Sequence, residues 1–380
     1  MKNLRFIRVG WVLVLAFIVA GVSVITPALA SNNTTRHTSY MARQAAGSSL
    51  NAIIYLTTGM LEPVFQNRIE QQVPADFNNA LTTMMRRLPS QDRGWAYEMA
   101  TTLLQPSATL QNLAPQQAGL AMTLQLSFYP GDPKPITATS LISFHAADSS
   151  TVQVSATPEN GSPALVSGPE GTFQIPLGSL NTIKATPGCG ASALALNLQF
   201  PVSLSQASTQ GQSAAMNTSS GLLMANQRAR AQAATSANAF IEIPAASLAS
   251  VSNSFGSMPV GNGLTAQNIR ISVQGSNLDL KADILWNGLY IGTVDSTIAP
   301  SAAGGKLVLY VLNTNLSLFG FFPFPINSYN AQIEQTLNSK LGNAFAGKFY
   351  LTSAAIGPNG QLPCAAGDSL VLGGNMPAIG

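Results

Sequence analysis

The chain has 380 residues, of which 46% are hydrophobic and only 9% are charged, whereas about 25% is usual for a soluble domain. The many aliphatic residues exclude a disordered composition, and the length suffices for one large domain or two smaller ones. Without the three N-terminal cations described next, fifteen Lys and Arg balance fifteen Asp and Glu. No long basic cluster is present, so no nucleic-acid partner is expected.

The N-terminus has the pattern of an export signal. Lys2, Arg5 and Arg8 precede an uncharged run over residues 9–26, and Ala28 and Ala30 flank Leu29 as in a cleavage site. We therefore predict a signal peptide at 1–30, cleaved before Ser31. A retained membrane anchor is the alternative, because the run approaches the length of a membrane span. Either way the protein is exported and extracytoplasmic, in the cell envelope or secreted. Residues 31–40 are polar and are expected to be flexible.

Helical periodicity follows over residues 41–105. Apolar residues spaced by three and four predict a helix from Met41 to Ile69, which Pro63 should either kink or break. The same pattern predicts helices at 76–88 and 93–105, the latter carrying Trp95, Met99 and Leu103 on one face.

The period then changes to two, which predicts antiparallel strands, apolar on one face, up to residue 204. We therefore expect a first segment at 41–204 that combines helices with the first set of strands. Residues 205–238 are rich in Ala, Ser, Gln and Asn and read as a low-complexity insertion.

A second segment is predicted at 239–372, followed by a tail at 373–380. It begins with a short strand and a helix that starts at Pro244. Alternating strands follow, with a hairpin turn at Asn287-Gly288. A strand over 306–312 leads through the sequence FFPFP into an amphipathic helix at 326–341, and a last strand is predicted over 348–362.

The two cysteines lie in loop sequences rich in Gly and Pro, TPGCGAS and QLPCAAG. In an exported protein an even number of cysteines permits a disulfide, so Cys189 and Cys364 are candidates for a bridge. Two buried, unpaired thiols remain the alternative, because bridging geometry cannot be read from sequence. A bridge requires Cα atoms within about 7 Å of each other.

This order of strand, short helix, alternating strands, GGKLVLYV, proline-led helix and FYLTSAAIGPNGQL resembles the tubular lipid-binding (TULIP) superfamily, and more narrowly the LmeA-like bacterial envelope proteins that bind phospholipid. The resemblance implies an α+β fold in which a strongly curved antiparallel sheet wraps around a long amphipathic helix, with acyl chains between them. The insertion at 205–238 and the helical stretch at 76–105 depart from the family pattern and leave the number of lipid pockets open.

Residues of the strands and of the last helix would line such a groove. FFPFP would lie at its mouth, or would be ordinary core where strand turns into helix. The lining candidates are Leu278, Leu280, Ile284, Leu307, Leu309, Val311, Phe321, Phe322, Phe324, Ile333 and Leu337.

Three function classes remain open. The first is a non-catalytic lipid-binding or lipid-transporting protein of the cell envelope, with a phospholipid or other acyl lipid as partner and peripheral membrane contact. The second is a structural or adhesive surface protein with a filled core and no ligand. The third, a hydrolase, is disfavoured: no nucleophile elbow, zinc-binding spacing or dinucleotide loop is found, so no catalytic residue, metal or cofactor is expected.

Overall fold

A computed structural model describes residues 48–159, 170–175, 178–202, 237–253, 256–261, 263–318, 322–341 and 349–376. The described strands are antiparallel and form three sheets, and the helices pack against them, so the fold class is α+β as predicted. The predicted signal peptide and most of the 205–238 insertion lie outside the described residues. No helix in the described part of the chain is long and apolar enough to cross a membrane.

The central sheet combines strands from both segments. Its six strands lie in the order β16-β17-β9-β1-β8-β7. They are β1 (Ser48–Thr57), β7 (Ser179–Ala185), β8 (Ser192–Val202), β9 (Ala239–Pro244), β16 (Tyr350–Ile356) and β17 (Ser369–Asn375). Strand pairing thus joins the predicted segments 41–204 and 239–372 across the insertion between them.

A second, five-stranded sheet belongs to the first half of the chain and packs against the long helix α1 (Thr58–Met85), which α2 (Arg93–Leu103) follows. We call it the first side sheet. Its strands run in sequence order and are β2 (Ser107–Gln116), β3 (Gly119–Ser127), β4 (Ile136–Ala146), β5 (Thr151–Pro158) and β6 (Gly171–Gln174).

A third, six-stranded sheet belongs to the second half, and we call it the second side sheet. Helices α3 (Ala245–Asn253) and α4 (Asn330–Leu341) pack against it, the latter preceded by a 3₁₀ turn at Asn327–Tyr329. Its strands also run in sequence order and are β10 (Met258–Gly261), β11 (Leu264–Gln274), β12 (Asn277–Trp286), β13 (Leu289–Ala303), β14 (Lys306–Leu318) and β15 (Phe322–Pro325).

The two halves repeat one arrangement. Each begins with a strand of the central sheet, continues through a helix and a side sheet whose strands follow one another, and returns as two more central strands. The first strands, β1 and β9, pair at the middle of the central sheet, where Tyr55 faces Phe240 and Ile53 faces Glu242. Tyr55 and Glu242 each lie two residues before the end of their strand, so a pseudo-two-fold axis passes between them.

The helix predicted from Met41 was wrong over 48–57, where the chain forms β1. Both faces of β1 are covered, with Ile54 1% and Tyr55 6% exposed, and an apolar run buried on both sides cannot be assigned by periodicity alone. The break at Pro63 was also wrong, because α1 runs continuously through Pro63 and Pro74 and takes in most of the helix predicted at 76–88. Thr57 caps it, its Oγ1 accepting a hydrogen bond from the Met60 amide at 3.3 Å.

The C-terminal end was also misjudged. The last predicted strand, 348–362, is shorter in the structure, and β17 was not predicted although it is buried between β9 and β16. Its sequence SLVLGGN is a short apolar run with two glycines, typically a weak strand signal. A Cβ on Gly374 would lie 2.4 Å from the Tyr350 carbonyl oxygen, so glycine is needed for this close pairing. The hairpin at Asn287-Gly288 and the helix α2 are confirmed.

Candidate functional site

An apolar groove of about 250 Å³ lies between α4 and the second side sheet. It is open on one side, and no residue that lines it is an acid, a lysine, an arginine or a histidine. Polar atoms come from three side chains of the helical wall: Tyr329, Gln332 and Thr336. The apolar lining consists of Met258, Leu264, Ala266, Ile269, Leu280, Ala282, Ile284, Ile291, Val294, Leu316, Ile326, Ile333 and Leu337.

The sheet curls around this groove. Met258 on β10 and Leu316 on β14 both line it, although three strands lie between theirs. In a flat sheet the outer two of these five strands would lie about 19 Å apart, whereas here residues of both face one groove. The sheet is strongly curved, as the resemblance implies.

Helix α4 is held to β14 by a polar stripe that the sequence analysis missed. The stripe lies at the free edge of β14, the part before Asn315 that β15 does not pair with. Asn338 Oδ1 accepts a hydrogen bond from the Leu309 amide at 2.8 Å, and Asn338 Nδ2 donates to the Leu309 carbonyl at 3.1 Å. One turn earlier, Glu334 Oε2 accepts from the Val311 amide at 3.2 Å. Asn330 Nδ2 donates to the Val311 carbonyl at 3.2 Å. Helix side chains thus replace a neighbouring strand and fix one wall of the groove.

The apolar floor of the groove continues onto exposed residues at one end. Trp286 pairs directly with both Leu264 and Leu289, and Phe324 pairs with Leu316. Directly paired residues of antiparallel strands point to the same face. Since Leu264 and Leu316 line the groove, Trp286, Leu289 and Phe324 extend that face beyond it, at 53%, 66% and 48% exposure. We call these three residues the rim.

The predicted lining residues fall into two groups. Leu280, Ile284, Ile333 and Leu337 line the groove, and Leu280 points towards α4 as the strand alternation predicted. Four others are buried in the hydrophobic core and are not among the lining residues: Leu278, Leu307, Leu309 and Val311. Leu278 and Val311 both pair with Ile298, so they form one row across the sheet.

The FFPFP residues are only partly described. Phe321 lies outside the described residues, and Phe322 begins β15, opposite Leu318. Phe324 belongs to the rim and is 48% exposed, so it is not core at the strand-to-helix corner.

In the first half, side chains pack closely between α1 and the first side sheet. Between α1 and the first side sheet, Phe65 stacks on Phe144 with ring centroids 6.4 Å apart. Leu120 and Leu124 are 0% exposed, and Ile69 is 1% exposed. Gln66 fixes the helix to β2, its Oε1 accepting a hydrogen bond from the Leu110 amide at 2.7 Å. The groove belongs to the second half, where α4 lies between the side sheet and the last two central strands, a helix without a counterpart among the described residues of the first half.

Cys189 and Cys364 form a disulfide, with Cα atoms 5.2 Å apart. Cys189 is in the β7–β8 connection and Cys364 in the β16–β17 connection, which are equivalent loops of the two repeats. The bridge therefore crosses the pseudo-two-fold axis and covers one face of the central sheet, in a small cluster with Tyr55, Phe240 and Leu362. Disulfides of this kind are typical of oxidising, extracytoplasmic compartments.

A buried hydrogen bond lies beneath this bridge. The Tyr55 hydroxyl donates to Glu242 Oε2 at 2.6 Å, and the Ala366 amide donates to Glu242 Oε1 at 2.7 Å. Glu242 is 2% exposed, so both carboxylate oxygens are bonded away from bulk water. Burial, and then the bond to the Glu242 carboxylate and its charge, raise the pKa of Tyr55 far above the usual value.

The outer face of the second side sheet carries the ion pairs of the described residues. Lys281 Nζ lies 3.4 Å from Asp279 Oδ2 and 3.3 Å from Asp295 Oδ2. The polar, solvent-facing side of the strand predicted at Asp279 and Lys281 is thus present, although Asp279 itself is only 7% exposed. Burial, and then a hydrogen bond and the charge of Asp295, raise the pKa of Asp279, while Lys281 opposes the shift.

No family model matches this chain, and no curated protein matches it. Several solved structures are similar to this chain, among them P47 and a lipopolysaccharide binding protein. P47 of Clostridium botulinum E1 has a TM-score of 0.32 at 8% identity, covering 87% of this chain and 100% of that one. A lipopolysaccharide binding protein has a TM-score of 0.30 at 9% identity, covering 87% of this chain and 99% of that one. Both TM-scores are below 0.5, and neither likeness carries an argument here.

Proposed function

We propose that this is a non-catalytic lipid-binding protein of the cell envelope that holds an acyl chain in the groove between α4 and the second side sheet, as the resemblance to TULIP and LmeA-like proteins implies. The observation that carries the proposal is the groove itself: an apolar space of about 250 Å³ with no acid, lysine, arginine or histidine in its lining. Such a lining favours hydrocarbon because apolar surface is driven out of water. It provides no acid–base pair for catalysis.

The size of the groove suggests how much lipid it holds. Ligand pockets usually measure about 300–1,000 Å³, and the 250 Å³ found here lies just below that range. We infer that one acyl chain, or one end of a longer chain, lies inside, and that the rest of a two-chain phospholipid remains outside. An ester or headgroup at the groove would lie near Tyr329, Gln332 and Thr336, the polar residues of the lining.

The rim provides a route into the groove. Trp286, Leu289 and Phe324 continue the apolar face outward, so an acyl chain can slide in without crossing water. The exposed position of Phe324 supports the predicted place of FFPFP at the mouth. Transport between membranes and storage are both compatible with such an entrance.

The experiment is lipid analysis of the purified chain from Ser31 onward, by native mass spectrometry and organic extraction. We expect acyl lipid to co-purify. Leu280→Trp places a large side chain in the groove, so lipid should be lost while the melting temperature stays nearly unchanged.

Leu124→Trp is the matched control, because the same change falls in the filled core of the first side sheet, where Leu124 is 0% exposed. Overpacking there should cost about 1–3 kcal/mol of stability without emptying the groove of the folded fraction. Unchanged lipid in Leu280→Trp, with a lowered melting temperature, would instead favour the structural or adhesive protein with a filled core.

A further inference from the structure

Helix α2 carries an apolar stripe that nothing in the described structure covers. Trp95, Met99 and Leu103 are spaced by four residues, which places them on one side of the helix, and they are 57%, 52% and 62% exposed. Ala96 is the buried residue of α2. The sequence placed these three residues on one face of a helix, and the structure turns that face to solvent.

The helix pair α1–α2 extends this exposed surface. Met84, at the end of α1, is 64% exposed, and Leu88, in the turn, is 37% exposed. Arg93 closes the turn, its guanidinium donating to the carbonyls of Leu88 at 2.8 Å and Arg86 at 2.9 Å. These hydrogen bonds fix the conformation of the turn, which presents apolar side chains to solvent.

Unpaired cations lie in the same turn. Arg86 and Arg87 are exposed, and both ion pairs of the described residues are made by Lys281, so neither arginine has a carboxylate partner there. An exposed apolar stripe beginning with Trp, beside free arginines, has the chemistry of a helix that lies in the interface of an anionic bilayer. A helix of 11 residues is about 16 Å long, too short to span a bilayer, so it would lie in the membrane plane.

We propose that the α1–α2 turn and the stripe Trp95, Met99 and Leu103 dock this protein onto an anionic phospholipid surface. Trp95 enters the boundary between headgroups and acyl chains, while Arg86 and Arg87 contact lipid phosphates. This contact is separate from the groove and does not depend on lipid occupying it. It assigns the peripheral membrane contact to a helix that lies outside the three sheets.

The experiment is vesicle co-sedimentation with the chain from Ser31 onward, which keeps the compact unit Ala45–Gly380 whole and removes the apolar N-terminus. Vesicles of phosphatidylglycerol and phosphatidylcholine are compared with pure phosphatidylcholine. We expect at least tenfold stronger binding to the anionic vesicles. The triple variant Trp95→Ala/Met99→Ala/Leu103→Ala should lose that binding by at least tenfold, and Arg86→Ala/Arg87→Ala should remove the preference for anionic lipid.

Ile136→Ala/Leu312→Ala is the matched control, because it removes apolar side chains that are 41% and 49% exposed and belong neither to the stripe nor to the rim, so vesicle binding should be retained. All variants must keep the circular dichroism and melting curve of the parent, as expected for exposed positions. In Trp286→Phe, Trp95 is the remaining tryptophan of the chain after Ser31. Its emission should shift to the blue on anionic vesicles and be quenched by brominated acyl chains.

Three results would overturn the proposal: no binding of the parent to anionic vesicles, equal loss in the stripe variant and in Ile136→Ala/Leu312→Ala, or Trp95 emission insensitive to brominated lipid. Sedimentation velocity without vesicles tests whether the stripe instead binds a second copy of this chain. A dimer that forms with rising concentration and that the triple variant abolishes would assign the stripe to a second copy of this chain.

Discussion

Removing the Cys189–Cys364 bridge should strongly destabilise the protein, because the bridge closes a long loop through both repeats. The cysteines are 175 residues apart in the sequence. The chain-entropy relation for a loop of that length predicts a loss of about 5 kcal/mol, with about 2–5 kcal/mol usual for the loss of a native disulfide. The hydrogen bond from the Ala191 amide to the Gln361 carbonyl, 3.2 Å, and the packing of Leu362 remain, so the native fold should persist under mild conditions.

The assay is denaturant unfolding of three samples: oxidised parent, reduced parent and Cys189→Ala/Cys364→Ala. The double variant should unfold at a lower midpoint than the oxidised parent and should be insensitive to dithiothreitol. Reduction should bring the parent to a similar midpoint, because Cys364 is exposed to solvent. A difference below about 1 kcal/mol between the oxidised parent and the double variant would contradict the predicted loop-closure contribution to stability. Two free thiols in the protein isolated from an oxidising compartment would show that the bridge does not form.

Three further changes test single contacts. Tyr55→Phe should cost about 1–3 kcal/mol at neutral pH, because it removes a donor from buried Glu242. Since folding raises the pKa of Tyr55 above its usual 10.0, the parent should lose stability as pH rises above about 10, and Tyr55→Phe should lose less in denaturant melts; equal losses would contradict this. Folding also raises the pKa of Asp279 above its usual 3.8, so the folded parent loses stability as pH rises through the raised pKa and Asp279 ionises. Asp279→Asn should therefore gain stability relative to the parent between pH 3 and pH 7, and a constant difference would show that no such shift exists. Asn338→Ala leaves the amide and carbonyl of Leu309 without partners, so α4 should show faster hydrogen exchange and the protein should lose about 1–3 kcal/mol, whereas the exposed Gln335→Ala should change neither.

The alternating strands were the most predictable part of this fold. In β12 the apolar residues Leu278, Leu280 and Ile284 alternate with polar ones, and the structure buries all three. One-sided burial leaves a period of two in the sequence. The same pattern correctly oriented Leu280 towards α4, which positions it in the groove.

Two of the central strands, β1 and β17, could not be predicted in the same way. β1 and β17 are covered on both faces, so they show no alternation, and periodicity then fails to separate strand from helix. The repeat was not visible either, because the helices at equivalent positions differ in length, with 28 residues in α1 and 9 in α3.

The candidate groove was predicted in part, and the reason is geometric. Which apolar residues surround a space, and which fill it, depends on how far the sheet curls and where the helix lies. Leu278 and Leu280 have the same sequence pattern, yet only Leu280 lines the groove. The polar stripe of Asn330, Glu334 and Asn338 had a readable spacing on α4, but its role depends on the free edge of β14, which only the strand pairing shows.

The most direct test of lipid binding is a crystal structure of the chain from Ser31 onward, delipidated and then soaked with a bromine-labelled fatty acid. If an acyl chain occupies the groove, we expect an anomalous bromine peak between α4 and the second side sheet, in contact with Leu280 and Ile333. We expect no such peak in Leu280→Trp. A groove that stays empty in the parent while the label binds elsewhere, or an equal peak in Leu280→Trp, would contradict this expectation.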